Sequence, residues 1–211
     1  MNAALYFLYY EEKIDADAYL TFLSNLAKRF VFDRFLAQGE VTSYFDLIYC
    51  NKFSYSPKNK TIKHIDVAKL LFGGIENNFV FNYLDYLLWK REKDQDPVVK
   101  EFEFTFRSSV EHFYPQHPMD GHPTLDGDAL HEFGNLCLIS HSKNSRLSNF
   151  PPKAKLAHFS ASIKQKAIDS LKLYEMIKLV EESGEWGEYE IYRHKDEMLA
   201  VLFESTRTAK S

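Results

Sequence analysis

Between Glu101 and Pro152 the sequence stops repeating at a helical period and starts repeating at a strand period, which restricts the fold more than any other feature. The run "EFEFTF" alternates acidic or polar residues with Phe, the period of two that turns one strand face toward a core. "SVEHFYP" continues that strand as far as Pro115. A polar loop, "QHPMDGHPTLDGD", separates it from a second short strand in "NLCLIS". "SKNSRLSN" then reads as a single short helix, with Ser142 as its N-cap and Pro151-Pro152 as its stop. Strand, long loop, strand and short helix, in that order, make a ββα unit.

The flanks read as helix. "DADAYLTFLSNLAKRFVFDRFLAQG" offers Asp15 or Asp17 as a cap, apolar residues at Leu20, Leu23, Leu26, Phe30 and Phe35, and Gly39 as a terminator. "DVAKLLFGG" is a short helix with a glycine stop, and "NNFVFNYLDYLLWKREK", apolar nearly all round, is a central core helix. After the ββα unit, "IKQKAIDSLKLYEMIKLVEESG" and "WGEYEIYRHKDEMLAVLFES" return to helix. The predicted fold is α+β and predominantly α-helical, a ββα hairpin and helix embedded in a helical domain. Its parts are a helical region at 1–100, the ββα core at 101–160 and C-terminal helices at 161–211 that pack on the same domain.

Composition agrees. Only 8 Gly and 7 Pro occur in 211 residues, which favours helices over a turn-rich all-β fold, and 45% hydrophobic content supplies a core. Cys50 and Cys137 stand far apart in no CxxC pair, so neither a disulfide framework nor a structural zinc site is expected, and a reducing cytoplasm fits. No apolar run reaches membrane-spanning length.

The net charge of −4 argues against a generally basic nucleic-acid binder, yet charge is unevenly distributed. Residues 101–132 hold seven acids, whereas 134–168 hold six basic residues and no acid. A metal site beside a phosphate-binding surface has that layout. Glu111 and His112 sit side by side just before Pro115, a carboxylate next to an imidazole, as metal-assisted hydrolysis requires. Asn135 follows His112 by 23 residues, and Asn144 follows Asn135 by nine.

An acidic-His-x-x-Pro strand, an Asn opening the second strand and an Asn on the helix nine residues later resemble the HNH (ββα-metal) endonucleases. Within that superfamily "VEHFYPQ", "LHEFGNLCLIS", "KNSRLSN" and "FPPKAKL" are most similar to the C-terminal HNH domain of GmrSD-type modification-dependent restriction enzymes. The flanks "FNYLDYLLW" and "WGEYEIYRHKDEMLAVLF" extend the resemblance over most of the chain.

The resemblance implies a metal-dependent DNA endonuclease of restriction or anti-phage defence, with strand nicking as its elementary act. Hard oxygen ligands suit Mg²⁺ or Mn²⁺, and Glu111 and the Asn144 side-chain carbonyl supply two of them. His112, poised near neutrality, is the general base, and Asn135 fixes the catalytic loop by hydrogen bonds. His131 is a candidate additional ligand, and Lys143, Arg146, Lys153 and Lys155 are candidate phosphate contacts. The implied partners are DNA, including modified phage DNA, and an N-terminal ParB-like nucleotide-hydrolysing domain or subunit that has no counterpart in this sequence. The competing class is a non-catalytic helical module, derived from a nuclease, that binds DNA or a partner.

Overall fold

A computed structural model describes residues 2–11, 15–50, 60–125, 127–141, 149–165 and 167–207. The chain divides into two compact units, 1–69 with 203–211, and 70–202. The helices of the expected 1–100 region are thus shared between the two units.

In the first unit, α1 (Asn2–Tyr10) and α2 (Ala16–Arg29) meet through Phe7 and Phe22, whose rings stack with centroids 4.3 Å apart. Asp15 caps α2, its Oδ1 accepting the Ala18 amide at 2.7 Å. Past Arg29 the backbone widens into a π-helical turn, Phe30–Phe35, that buries Val31, Phe32 and Phe35. Leu20, expected on the apolar face, is 57% exposed, because the buried face of α2 is centred on Phe22 instead. A short helix, α3 (Tyr44–Ile48), is capped by Ser43. "DVAKLLFGG" forms only a 3-10 turn, Val67–Leu70.

In the second unit, α4 (Phe79–Glu92) buries Val80, Phe81, Leu84 and Leu88, as an all-round apolar helix should. It packs on α7 (Leu171–Ser183), which also backs the hairpin. Among the described residues its other α-helices are α5 (Pro97–Lys100), α6 (Pro152–Lys164) and α8 (Glu188–Glu204). Pro152, read as a stop signal, instead occupies the first turn of α6, where its missing N–H costs nothing and its fixed φ suits a helix. Ser170 caps α7, and Gly184, with φ of 78°, ends it in the left-handed conformation.

Among the described residues the sheet is one antiparallel pair, β1 (Ser109–His112) with β2 (Leu136–Ile139), in the register Glu111 to Cys137 and His112 to Leu136. "EFEFTF" is not part of it. Phe102 is buried, but Phe104 and Phe106 are 51% and 90% exposed. The ladder stops because its next groups are taken by side chains: Asn78 Nδ2 donates to the Ser108 carbonyl at 3.1 Å and Asp169 Oδ2 accepts the Ser140 amide at 3.0 Å. Alternation alone cannot hold a strand without a partner edge. The expected helix "SKNSRLSN" spans 142–149, of which all but Asn149 lie outside the described residues. Among the described residues no helix is long and apolar enough to cross a membrane.

Candidate active site at the hairpin end

Adjacent strand residues point to opposite faces, and β1 uses both. Glu111 reaches toward α6, where its Oε1 receives the Lys155 ammonium at 2.7 Å. The same Nζ donates to the His112 carbonyl at 2.6 Å. The His112 ring turns the other way. Its Nε2 lies 3.2 Å from His131 Nδ1, Gln116 Nε2 lies 2.9 Å from its Nδ1, and the Phe72 ring packs 4.3 Å away, centroid to centroid. The hairpin thus brings His131, 19 residues downstream, onto His112, with the His131 side of the pair exposed to solvent.

Asn135 is fully buried in the 3-10 turn Phe133–Asn135 that feeds β2. Its Oδ1 accepts the Tyr114 amide at 2.8 Å and the Trp186 indole N–H at 3.1 Å. Its Nδ2 donates to the carbonyls of Tyr114 at 3.1 Å and Leu130 at 2.8 Å. One side chain therefore ties together the segment leaving β1, the turn entering β2 and Trp186, and it is saturated: no lone pair or proton is left for a metal or substrate.

Beneath this turn lies a second buried lysine. Lys172, in the first turn of α7, donates to the carbonyls of Phe133 at 2.7 Å and Leu136 at 2.6 Å, bracketing Gly134 and Asn135. Burial pushes its ammonium down to about 7. Gly134 is needed for a close approach: a Cβ there would stand 1.9 Å from the Ile191 carbonyl oxygen of α8.

Burial raises the Glu111 carboxyl above its usual range, partly offset by the attraction of Lys155. Burial, then the charges of His131 and Lys155, pushes His112 down to about 4, so the ring is neutral and proton-accepting at pH 7. Cys137, paired with Glu111 across the ladder, is driven up to about 12 by burial and is no nucleophile.

The expected site residues therefore separate into groups. Glu111, His112, Asn135 and His131 all sit at one end of the hairpin, but the Glu111 carboxylate faces α6 while the His112 and His131 rings meet on the other side of the strand. Asn144, Lys143 and Arg146 lie outside the described residues. Lys153 is exposed on α6. Lys155, expected as a surface phosphate contact, is only 1% exposed and ion-paired to Glu111, because α6 turns it inward. Lys172, Trp186 and Gly134 escaped the sequence reading. Nothing in a lysine's neighbours along the chain signals its burial, although the Asn-flanking glycine in "FGNL" hinted at a tight approach.

The donor chemistry suits a hard divalent ion in part. Glu111 Oε2 accepts no hydrogen bond among the described residues, and neutral imidazole stands beside the carboxylate-bearing strand. Among those residues, however, no three His, Cys, Asp or Glu side chains converge as a complete ligand set. A metal here would need oxygen from Asn144, water or phosphate.

Two buried imidazoles contribute to the response to pH. His112 is depressed to about 4, and burial holds His194 well below its ordinary value. Both take up a proton on unfolding, so their stabilisation is complete above pH 6.5 and is lost as pH falls below it, by about 1.4 kcal/mol per pH unit for each proton. Asp85, raised to about 6, and Glu175, raised to about 7, both by burial, work the other way as pH falls toward their unfolded values, and the raised Glu111 carboxyl acts in the same sense. The histidine contribution is therefore read as a difference between variants: the melting-temperature gap between the parent and His194→Gln should narrow from pH 7 to pH 5. A gap that stays constant across that range would contradict a neutral, buried His194.

Comparison with curated proteins and with solved structures gives no match. The C-terminal domain of the GmrSD restriction endonucleases does match, over residues 54–201, a span that takes in α4, the hairpin, α6, α7 and most of α8. With its saturated Asn turn and Glu-His strand inside that span, the chain belongs to the GmrSD C-terminal domain family, a nuclease-related domain of restriction enzymes.

Proposed function

We propose that the chain is a divalent-metal-dependent HNH endonuclease that hydrolyses DNA phosphodiester bonds one strand at a time, within a cytoplasmic restriction or anti-phage defence system. The observation that carries this reading is the hairpin end itself: a neutral imidazole backed by a second, solvent-facing imidazole, beside a buried carboxylate held in place by a lysine.

His112 takes the proton of the attacking water, and its contact with His131 gives that proton a route to solvent. Asn135 keeps the His112–Tyr114 segment at a fixed distance from the turn. Lys155 holds both the Glu111 carboxylate and the His112 backbone, so the two residues move as one. Glu111, through Oε2, and Asn144, through its side-chain carbonyl, would hold Mg²⁺ or Mn²⁺. Such an ion supplies charge stabilisation at the phosphate and the leaving oxygen. Lys153, and with it Lys143 and Arg146, would meet the DNA backbone. Modified phage DNA is the substrate this family membership favours, and a ParB-like nucleotide-hydrolysing domain or subunit is the partner.

Plasmid nicking titrated against Mg²⁺ and Mn²⁺ tests the assignment. Glu111→Ala and Asn144→Ala should require more metal and recover partly in excess Mn²⁺. Asn135→Ala should lose rate at every metal concentration, since a misplacement of about 1 Å costs on the order of 100-fold. If all three variants nick like the parent, the hairpin end is not the active site.

A further inference from the structure

A second feature adjoins the hairpin on the side away from Asn135. The N-terminal end of α4 and the extended segment 104–108 enclose a cleft of about 640 Å³. Phe106 stands at it 90% exposed and makes no ring contact among the described residues. Phe104, 51% exposed, is braced edge-on by Phe102 at 4.9 Å and Trp89 at 6.3 Å. A lone exposed ring is ordinary, but two exposed phenyl rings lining one cleft make an apolar patch of the kind binding surfaces use.

The polar lining narrows what binds. Asn78 Nδ2 donates to the Ser108 carbonyl and Asn82 Nδ2 to the Asn78 carbonyl, which leaves both amide oxygens without a protein partner among the described residues. Asn77 Oδ1 is used by the Phe79 amide, which leaves its NH₂ to donate. The one cationic side chain in the lining, Arg107, is buried, with its Nη2 on the Glu103 carbonyl, while Glu76 is exposed at the rim. A phosphate finds only this buried guanidinium, which already faces the Asp85 carboxylate with Nη1 4.0 Å from Oδ2, and it meets a second carboxylate at the rim. A flat, neutral ligand with amino donors and a π-face finds two acceptors, one donor and two rings.

We propose that this cleft is a nucleobase site. An unpaired base of the substrate strand stacks on Phe106 beside Phe104, with an exocyclic amino group on the amide oxygens of Asn78 and Asn82. The site rests on the DNA-cutting reading for its ligand, and position supports it. Ser108 lines the cleft and directly precedes β1, so Glu111 is three residues on, about 10 Å along a strand. That span equals about three stacked nucleotides at ~3.4 Å each. The cleft thus reads a base a few nucleotides from the phosphate that is cut, and it demands that the base be out of the duplex.

The test uses the full chain without divalent metal and a single-stranded 12-mer carrying 2-aminopurine, whose fluorescence falls on stacking. The parent should bind and quench it, and should bind the fully paired duplex less well. Phe106→Ala should weaken single-strand binding roughly 5- to 100-fold, the range of one base–aromatic stack, and abolish quenching. Phe106→Tyr should retain both, and Asn82→Ala should weaken binding while keeping the quench. Equal binding and quenching by Phe106→Ala would overturn the proposal, as would a parent that neither binds nor quenches. A concentration-dependent dimer that Phe106→Ala disrupts would overturn it too, assigning the surface to a second copy. Plasmid nicking is scored separately. Quenching without nicking removes the nuclease reading alone, and nicking unaffected by Phe106→Ala, with unchanged quenching, removes the base site alone.

Discussion

His112→Ala is expected to lower strand cleavage by about 10² to 10⁴-fold, the usual contribution of a positioned general base, while divalent-metal affinity stays close to the parent's. The ring is neutral at pH 7 because burial and neighbouring charge push its pKa to about 4. Neutral, it can accept a proton, although the lowered pKa makes it a weaker base than free imidazole, and in the proposed reaction His131, 3.2 Å away, passes that proton outward. Because the ring also packs against Phe72, His112→Gln serves as a companion that fills more of the space and still cannot act as a base. Both variants should melt as two-state species near the parent. Cleavage rates and metal-binding isotherms, measured side by side, decide the matter. Loss of metal binding together with cleavage would make His112 a ligand, and full activity in both variants would remove it from the chemistry.

The second large effect is structural. Gly134→Ala puts a methyl group where only 1.9 Å separates it from the Ile191 carbonyl oxygen, with the Ile191 carbonyl carbon and the Lys195 amide nitrogen also close. All three are backbone atoms of a packed helix, so no rotamer change relieves the clash. Either the turn or α8 must shift, at a cost at or above the upper end of overpacking, about 3 kcal/mol. In melting temperature that is about 10 °C for a unit of this size. Gly187→Ala is the control, because a Cβ there meets nothing nearer than Glu190 Oε2 at 3.6 Å. A Gly134→Ala variant that melts within a degree or two of the parent would show that the contact yields without strain. Because Asn135 is the next residue, cleavage should suffer more than stability alone accounts for.

These effects also indicate which parts of the molecule are legible in the chain. The helices α2 and α4 can be read from caps and apolar faces, since Asp15 caps as its type predicts and α4 is buried as its composition requires, whereas the helix read from Ile163 is in fact the end of α6 at Lys164 and a separate α7 that Ser170 caps. The hairpin is legible as well, because "SVEH" and "NLCLI" carry the right residues at the right separation. "EFEFTF" misleads because alternation reports what a strand would look like, not whether a neighbouring edge is free. Here Asn78 and Asp169 close that edge first. Glu111, His112 and Asn135 meet at one end of the hairpin, a placement that their spacing in the chain leads one to expect. The inward turn of Lys155 and the burial of Lys172 are not legible, since each lysine is fixed by carbonyls or a carboxylate more than 35 residues away. Sequence patterns record periodicity within an element, and these contacts run between elements.

The bond from the Trp186 indole to Asn135 bears on portability. A ββα nuclease motif is easily pictured as a cassette of some fifty residues, moved intact between hosts. In this chain the residue that organises the cassette spends one of its four side-chain bonds on a tryptophan 51 positions later, and the turn beside it is moulded onto α8. A graft ending at α6 would leave the Asn135 oxygen half-satisfied and the Phe133–Asn135 turn without its wall. The piece that keeps this arrangement whole is therefore 70–202, and insertions in the α7–α8 connection, which carries Trp186, would disturb the Asn135 turn from more than fifty residues away.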